Sequence, residues 1–163
     1  MIISYLSLGS NMNDRLNNIN TALDMLSKEK SNELLSVSSF YESKPMYNQS
    51  LNRFYNAVAK IKTSLSADML LSFVKNIEKK LGRVESKERY ANRPIDIDIL
   101  SYGDEIIQTE ELVVPHPHIK ERKFVLKPWS DIDSNYIIAT ENKKIKELLS
   151  ITSDISILTK VEK

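Results

Sequence analysis

The segment Ile95-Asp96-Ile97-Asp98-Ile99 alternates strictly between isoleucine and aspartate. Only a β-strand sorts such residues onto two clean faces, because successive strand side chains point to opposite sides. The isoleucines then require a core, and Asp96 and Asp98 share the other face, about 6.7 Å apart along the backbone. Two carboxylates so placed repel each other, and burying them uncompensated is costly. Either that face is open to water, as on an ordinary amphipathic surface strand, or a cation neutralises it. Magnesium, which combines carboxylate oxygens with waters and substrate phosphates, suits the second reading. The isoleucine-rich strand and the basic stretch just before it favour metal.

From Lys75 to Arg93 there are seven basic residues (Lys75, Lys79, Lys80, Arg83, Lys87, Arg89, Arg93) against three acidic ones (Glu78, Glu85, Glu88). The whole chain carries a formal net charge of only +1, which gives no global pull toward nucleic acid or anionic lipid. A local surplus alone describes a solvated face as well as an anion site. The chain has three glycines, Gly9, Gly82 and Gly103, and no G-x-x-x-x-G-K-[S/T]. A backbone cradle for phosphate is therefore excluded, and side chains with metal must do that work. Arg83, Arg89 and Arg93 offer guanidinium forks for phosphate oxygens, although any one alone reads equally as a mobile loop residue.

His116 and His118 alternate within Val114-Pro115-His116-Pro117-His118. They suit phosphate or metal contact, or structural hydrogen bonding between prolines; two histidines without a third ligand make a poor zinc site. Phe54, Asn56 and Val58 share one strand face. A ring beside an amide fits a flat heterocycle, and equally a core phenylalanine beside an edge asparagine.

Along the chain, residues 2–8 are almost continuously apolar and suit a strand covered on both faces. Leu16, Ile19, Leu23 and Leu26 form one helical stripe over 14–27, with Asn11 or Asn13 as cap. Strands are expected at 34–41, 54–62 and 95–102, a weaker one at 105–112, and loops at 42–52 and 83–94. Ser66 begins a helix over 66–81 that Gly82 ends, and a short helix is expected over 143–150. The order βαββαβ predicts an α+β fold. It has a ferredoxin-like core with helices on one side of the sheet, additional strands and short helices, in a single domain over 1–163.

A chain of 163 residues, 41% hydrophobic and 28% charged, has enough material for a core. It contains no cysteine, which excludes disulfides, thiolate metal sites and cysteine nucleophiles and matches a reducing cytoplasm. The N-terminal segment lacks the basic region of a signal peptide, and no apolar run approaches the ~20 residues that span a membrane. The expected partners are small molecules, not nucleic acid or membrane, acting on a cytoplasmic monomer.

Six pieces together resemble the 6-hydroxymethyl-7,8-dihydropterin pyrophosphokinases of folate biosynthesis. They are Leu8-Gly9-Ser10-Asn11, Val37-Ser38-Ser39-Phe40-Tyr41, Phe54-Tyr55-Asn56-Ala57-Val58, Gly82-Arg83, Arg93-Pro94 with the Ile95–Ile99 alternation, and Val114-Pro115-His116-Pro117 followed by Arg122-Lys123-Phe124-Val125-Leu126. They stand in family order across roughly residues 1–130. The resemblance implies an ATP-dependent diphosphotransferase that moves pyrophosphate from ATP to the pterin hydroxymethyl group and releases AMP. It implies that Asp96 and Asp98 hold two magnesium ions and that Arg83, Arg93, His116 and Arg122, helped by Arg89, contact the triphosphate, with Arg83 and Arg93 catalytic beside the aspartates. Leu71, Lys75, Glu78 and the backbone around Ile99 would lie near the nucleoside. The pterin would sit between Phe54 and Phe124, its edges read by Asn56 and the Ser43-Lys44-Pro45-Met46 loop.

The chain departs from that pattern at Tyr90, where tryptophan is common, and at Asn92, where proline commonly precedes the arginine. Glu85 and Ser86 replace basic residues, and His118 stands where arginine is frequent. Three rival readings remain at this level: an RNA-binding sheet, which the aspartates oppose; a γ-phosphoryl kinase on the same metal site; and a scaffold without catalysis.

Overall fold

The computed structural model describes residues 1–84 and 91–162. Its elements run β1 (Ile2–Ser10), α1 (Arg15–Lys28), β2 (Asn32–Val37), β3 (Tyr41–Ser43), β4 (Phe54–Thr63), α2 (Ala67–Lys80), β5 (Asp96–Tyr102), β6 (Ile107–Gln108) and β7 (Val113–Val114). A 3-10 turn at Ile119–Glu121 follows, then α3 (Lys123–Asp133), β8 (Ile137–Ile138), β9 (Lys143–Lys144), α4 (Ile145–Ile151) and β10 (Thr159–Lys160). The fold is thus mixed α and β.

The main sheet is antiparallel, in the order β10-β3-β4-β1-β5, and β2 also pairs with β4. The long strands β1 and β4 pair from Ile2↔Thr63 to Ser10↔Tyr55, and β5 lines the other side of β1 with Gly9↔Asp96 and Ser7↔Asp98. Strand alternation then sorts the side chains. Leu6, Leu8, Ala57, Ile61, Ile95, Ile97 and Ile99 enter one core with Ile19 and Leu26 of α1 and Leu70, Val74 and Ile77 of α2. Tyr5, Val58 and Leu100 enter a second core with Leu126 and Trp129 of α3 and Ile145 and Leu148 of α4. Asp96 and Asp98 alternate with the buried isoleucines and share their face with Leu100.

Several details differ from the sequence expectation. Helices cover both faces of the sheet, because α3 and α4 lie on the side left bare in the simple prediction. The helix α3 has no side-chain cap and contains Pro128, which removes the N–H that would bond the Phe124 carbonyl and disguises the helical pattern. The expected strand over 34–41 is two strands. Between them the Ser38 hydroxyl accepts the Val58 N–H at 2.9 Å and Phe40 turns fully into the core, so the ladder breaks there. Expected loop residues Glu42 and Ser43 belong to β3, and the weak strand over 105–112 is the small β6–β7 hairpin.

Asp14, not Asn11 or Asn13, caps α1 through the Asn17 N–H, because Asn11 is engaged elsewhere and Asn13 has a positive φ of 61°. Ser66 caps α2 as expected, accepting from Met69 N at 3.2 Å. The other end of α2 closes in a Schellman arrangement: Gly82 at φ 95° donates to Lys79 O and Arg83 N donates to Glu78 O at 3.0 Å. That closure turns Arg83 back toward the start of β5. Among the described residues no helix is long and apolar enough to cross a membrane.

Candidate active site

A cleft of about 410 Å³ opens over the end of the sheet where β1 finishes and β4 and β5 begin, on the α3 face. One wall is acidic. Asp96 and Asp98 leave β5 side by side, opposite Gly9 and Ser7 of β1, and all four residues line the cleft. The glycine keeps the floor open: a Cβ there would stand 3.6 Å from the Phe54 ring and 3.7 Å from Asn56 Oδ1, in the space between them.

Facing the aspartates are Arg83, Arg93, Arg122 and His116. Arg83 donates through one nitrogen to Glu78 Oε2 and to Asp96 Oδ1, each at 2.6 Å. Arg93 approaches Asp96 Oδ2 at 3.4 Å, and its guanidinium carbon lies 5.4 Å from the Phe54 ring centre. Burial would raise the Asp96 carboxyl, but Arg93, Arg83 and Arg122 overcome it and hold Asp96 below the ordinary carboxylate range. Asp98 goes the other way. Burial first, and then its neighbour Asp96, push it up to about 7, with Arg122 and Arg93 opposing.

His116 is presented by the segment after β7, whose His116 N–H donates to Leu100 O at 2.9 Å and docks it along β5. Its Nδ1 accepts the His118 backbone N–H at 3.1 Å, so the ring proton sits on Nε2. Burial, Arg122 and His118 lower its pKa to about 4, which keeps the ring neutral near pH 7. The two imidazoles lie 5.8 Å apart and both line the cleft, while His118 Nδ1 is 3.3 Å from Glu121 Oε2.

The other half of the cleft is a slot carrying Phe54, Phe124, Asn56, Ser43, Lys44 and Met46. Both Nδ2 donors of Asn56 are used inside the protein, to Tyr41 O at 3.1 Å and Ser43 Oγ at 2.8 Å. The amide is thereby locked with its acceptor oxygen toward the cleft floor. Tyr47 also lines the cleft, and Arg122 donates to its hydroxyl at 3.2 Å.

Most of the residues singled out from sequence therefore meet in one place: Arg83, Arg93, Asp96, Asp98, His116, Arg122, Ser43, Lys44, Met46, Phe54, Asn56 and Phe124 all line the cleft. Pro45 is buried beside it, its carbonyl accepting from Gln49 Nε2. Leu71 and Lys75 stay on α2, and the Ile99 side chain points into the α1–α2 core, so none of the three lines the cleft. Glu78 lies just behind the acidic wall, joined to it through Arg83 and the Ile97 N–H. Arg89 lies outside the described residues. Ser7 and Tyr47 line the cleft without having been singled out, and so does Pro117, quoted only as part of a matching segment. Ser7 was detectable only with the β1–β5 register in hand, and nothing in the local sequence marks Tyr47.

The donors left over say what the cleft fits. Among the described residues Arg93 Nε and Arg122 Nε are buried without an acceptor, a fit for an anion with several oxygens. The Asp98 carboxylate makes no hydrogen bond or ion pair among the described residues, and burial with Asp96 beside it raises its pKa despite Arg122 and Arg93. No group of three or more histidines, cysteines or carboxylates is clustered to cage a metal among the described residues. A cation held by two aspartates must complete its shell with water and ligand oxygens, as magnesium does.

A model of the family described as 7,8-dihydro-6-hydroxymethylpterin-pyrophosphokinase matches residues 5–134. The chain is 40% identical over 154 residues to a 2-amino-4-hydroxy-6-hydroxymethyldihydropteridine pyrophosphokinase of Haemophilus influenzae, covering 94% of this chain and 95% of that one. It is 46% identical over 133 residues to the folic acid synthesis protein fol1 of Pneumocystis carinii, covering 82% of this chain but only 18% of that longer protein. Among solved structures it is similar to a Plasmodium falciparum HPPK-DHPS with pteroate, at a TM-score of 0.72 and 17% identity, over 91% of this chain and 44% of the other. That likeness bears on the fold alone. With a family model spanning most of its length and a relative of matching length, this chain belongs to the 7,8-dihydro-6-hydroxymethylpterin-pyrophosphokinase family.

Proposed function

We propose that this chain performs its family's reaction at the cleft over β5, transferring the β,γ-pyrophosphoryl group of ATP to the hydroxymethyl group of 6-hydroxymethyl-7,8-dihydropterin in folate biosynthesis. The observation that carries this reading is the meeting, in one cleft, of a carboxylate pair with three arginines and an aromatic slot with a locked amide. Asp96 and Asp98 would hold the magnesium ions, two in number on the family resemblance, and these would supply charge neutralisation to the phosphates.

The side chains divide the remaining work. Arg83, Arg93 and Arg122 bind the triphosphate oxygens, and the neutral His116 adds an Nε2–H donor. Phe54 and Phe124 sandwich the pterin, and Asn56 Oδ1 accepts from a ring N–H at its edge. Ser43, Lys44, Pro45 and Met46 border the same edge. The pterin hydroxymethyl oxygen then bonds to the β-phosphorus. The bond from the β-phosphorus to the α,β-bridging oxygen breaks, that oxygen and the electron pair leave with AMP, and the hydroxyl proton passes to water. Phosphoryl transfer of this kind depends on positioning and charge neutralisation more than on covalent help. Leu71, Lys75, Glu78 and the backbone around Ile99 border the nucleoside at the β5 edge in this reading, and Arg89 assists the phosphates.

The sheet order supports a ferredoxin-like core, and we read residues 1–163 as one pyrophosphokinase domain that works as a cytoplasmic monomer without nucleic acid or membrane partners. The test is ATP labelled at the β-phosphorus. Label recovered on the pterin supports the reading; label retained in ADP identifies a γ-phosphoryl kinase and overturns it.

A further inference from the structure

Three asparagines from three separate segments meet beside the cleft. Asn11 follows β1, Asn52 precedes β4, and Asn92 precedes β5. Asn11, only 1% exposed, is clasped to Arg93 from both sides: Arg93 N donates to Asn11 Oδ1 at 2.7 Å, and Asn11 N donates to Arg93 O at 3.2 Å. Asn52 Nδ2 donates to Asn11 O at 3.1 Å, and Asn11 Nδ2 returns to Asn52 O at 3.2 Å. Asn92 closes the set. Its Oδ1 accepts from Asn11 Nδ2 at 2.9 Å and from the Asn52 backbone N–H at 3.1 Å.

Each segment tied here carries a cleft residue one or two positions away: Gly9 on the first, Phe54 on the second and Arg93 on the third. Arg93 is the member with least support of its own. Its guanidinium touches Asp96 only at 3.4 Å, and among the described residues its buried Nε has no acceptor. The backbone of residue 93, by contrast, is held at both N–H and C=O. Beside the two direct Asn11–Asn52 bonds, Asn92 Oδ1 is the acceptor that binds both partners at once, tying Asn11 and the segment that leads to Phe54 to the residue next to Arg93. A proline at position 92 has no side-chain acceptor to offer.

We propose that Asn92 is a positioning residue for Arg93: through Asn11 and Asn52 it fixes the Arg93 backbone relative to Phe54, so that the guanidinium stands between the aromatic slot and Asp96. It touches no substrate. Its effect passes through Arg93 to the triphosphate. This rests on the proposed function only in taking the anion to be a nucleoside triphosphate.

The test is a double-mutant cycle read in two ways. Binding of magnesium with α,β-methylene-ATP is measured by calorimetry on the full chain for wild type, N92A, R93A and N92A/R93A, and turnover with ATP and pterin is measured alongside. We expect N92A to weaken analogue binding by about tenfold and to lower kcat with little change in KM for the pterin, an effect size consistent with a slightly misplaced contact. In the R93A background the second substitution should add less than about twofold, because the residue it positions is gone. Should N92A not fold, as judged by urea unfolding, the same cycle is run with N92S. Wild-type binding by N92A, or losses that multiply in the double variant, would overturn the proposal. Because binding is scored separately, an enzyme that bound the analogue but gave no pterin product would refute the proposed function and leave the Asn92 cycle readable.

Discussion

Glu78 Oε2, on α2, accepts the backbone N–H of Ile97 at 2.8 Å, and Ile97 is the residue between the two aspartates. The same oxygen takes Arg83 at 2.6 Å. A buried helix carboxylate thus holds both the strand that aims the acidic pair and the arginine that faces it. Burial raises the pKa of Glu78, with Asp96 adding to the effect, while the Ile97 N–H, Arg83 and Lys75 oppose it.

Replacing Glu78 with alanine leaves the Ile97 N–H without its acceptor and Arg83 with Asp96 alone. The expected loss is about 1–3 kcal/mol in urea unfolding, with turnover down about 10- to 100-fold through misplacement of Arg83. Glu78→Gln keeps an acceptor for Ile97 and should recover most of the stability. Equal stability of E78A and wild type would contradict this role.

Phe54 lines the slot only half-buried, so its truncation opens the slot without emptying a core. Phe54→Ala should raise KM for the pterin by about tenfold or more, while KM for ATP stays within about threefold. Steady-state kinetics with each substrate varied separates the two effects; equal rises in both would contradict the assignment of Phe54 to the pterin half.

His116 supplies a pH signature. Its folded pKa of about 4 lies below the ordinary histidine value of 6.5. Between those values the unfolded chain binds a proton that the folded chain refuses. Stability from this group is therefore full above about 6.5 and falls as the pH drops toward 4, with a slope of at most about 1.4 kcal/mol per pH unit. Urea midpoints of wild type and His116→Gln, compared from pH 7.5 to 4.5, should converge as the pH falls. A gap that stays constant would contradict a half-buried, neutral imidazole.

Trp129 is fully buried beneath the sheet, in ring contact with Tyr5 at 4.9 Å between centroids, and its Nε1 has no partner among the described residues. Truncation to alanine should cost about 3–5 kcal/mol. Phenylalanine, which abandons no hydrogen bond, should cost less than about 1.5 kcal/mol. Thermal unfolding of the two variants checks both numbers.

Trp129 also marks where sequence reasoning stopped. Strands and helices with strict periodicity, such as the Ile95–Ile99 alternation and the Leu70-Val74-Ile77 stripe, were legible because one face of each is wholly core. The helix carrying Trp129 was not, since Pro128 interrupts its pattern and no polar cap announces its start. With it went the second core and the covering of both sheet faces. The site followed the same division. Asp96, Asp98 and the arginines stood out by residue type and spacing, whereas Ser7 and the Asn11–Asn52–Asn92 set depend on which strands pair and which loop ends meet. Those are long-range facts that no local pattern contains.

On the proposed function this cleft moves pyrophosphate, not a single phosphate, from ATP to the pterin. Purified protein is mixed with ATP, magnesium and 6-hydroxymethyl-7,8-dihydropterin, and the nucleotide and pterin products are quantified, with EDTA and Asp96→Ala as controls. We predict AMP and a pterin diphosphate in one-to-one yield, both lost with EDTA and in D96A. Formation of ADP with a pterin monophosphate, or undiminished turnover in D96A, would contradict it.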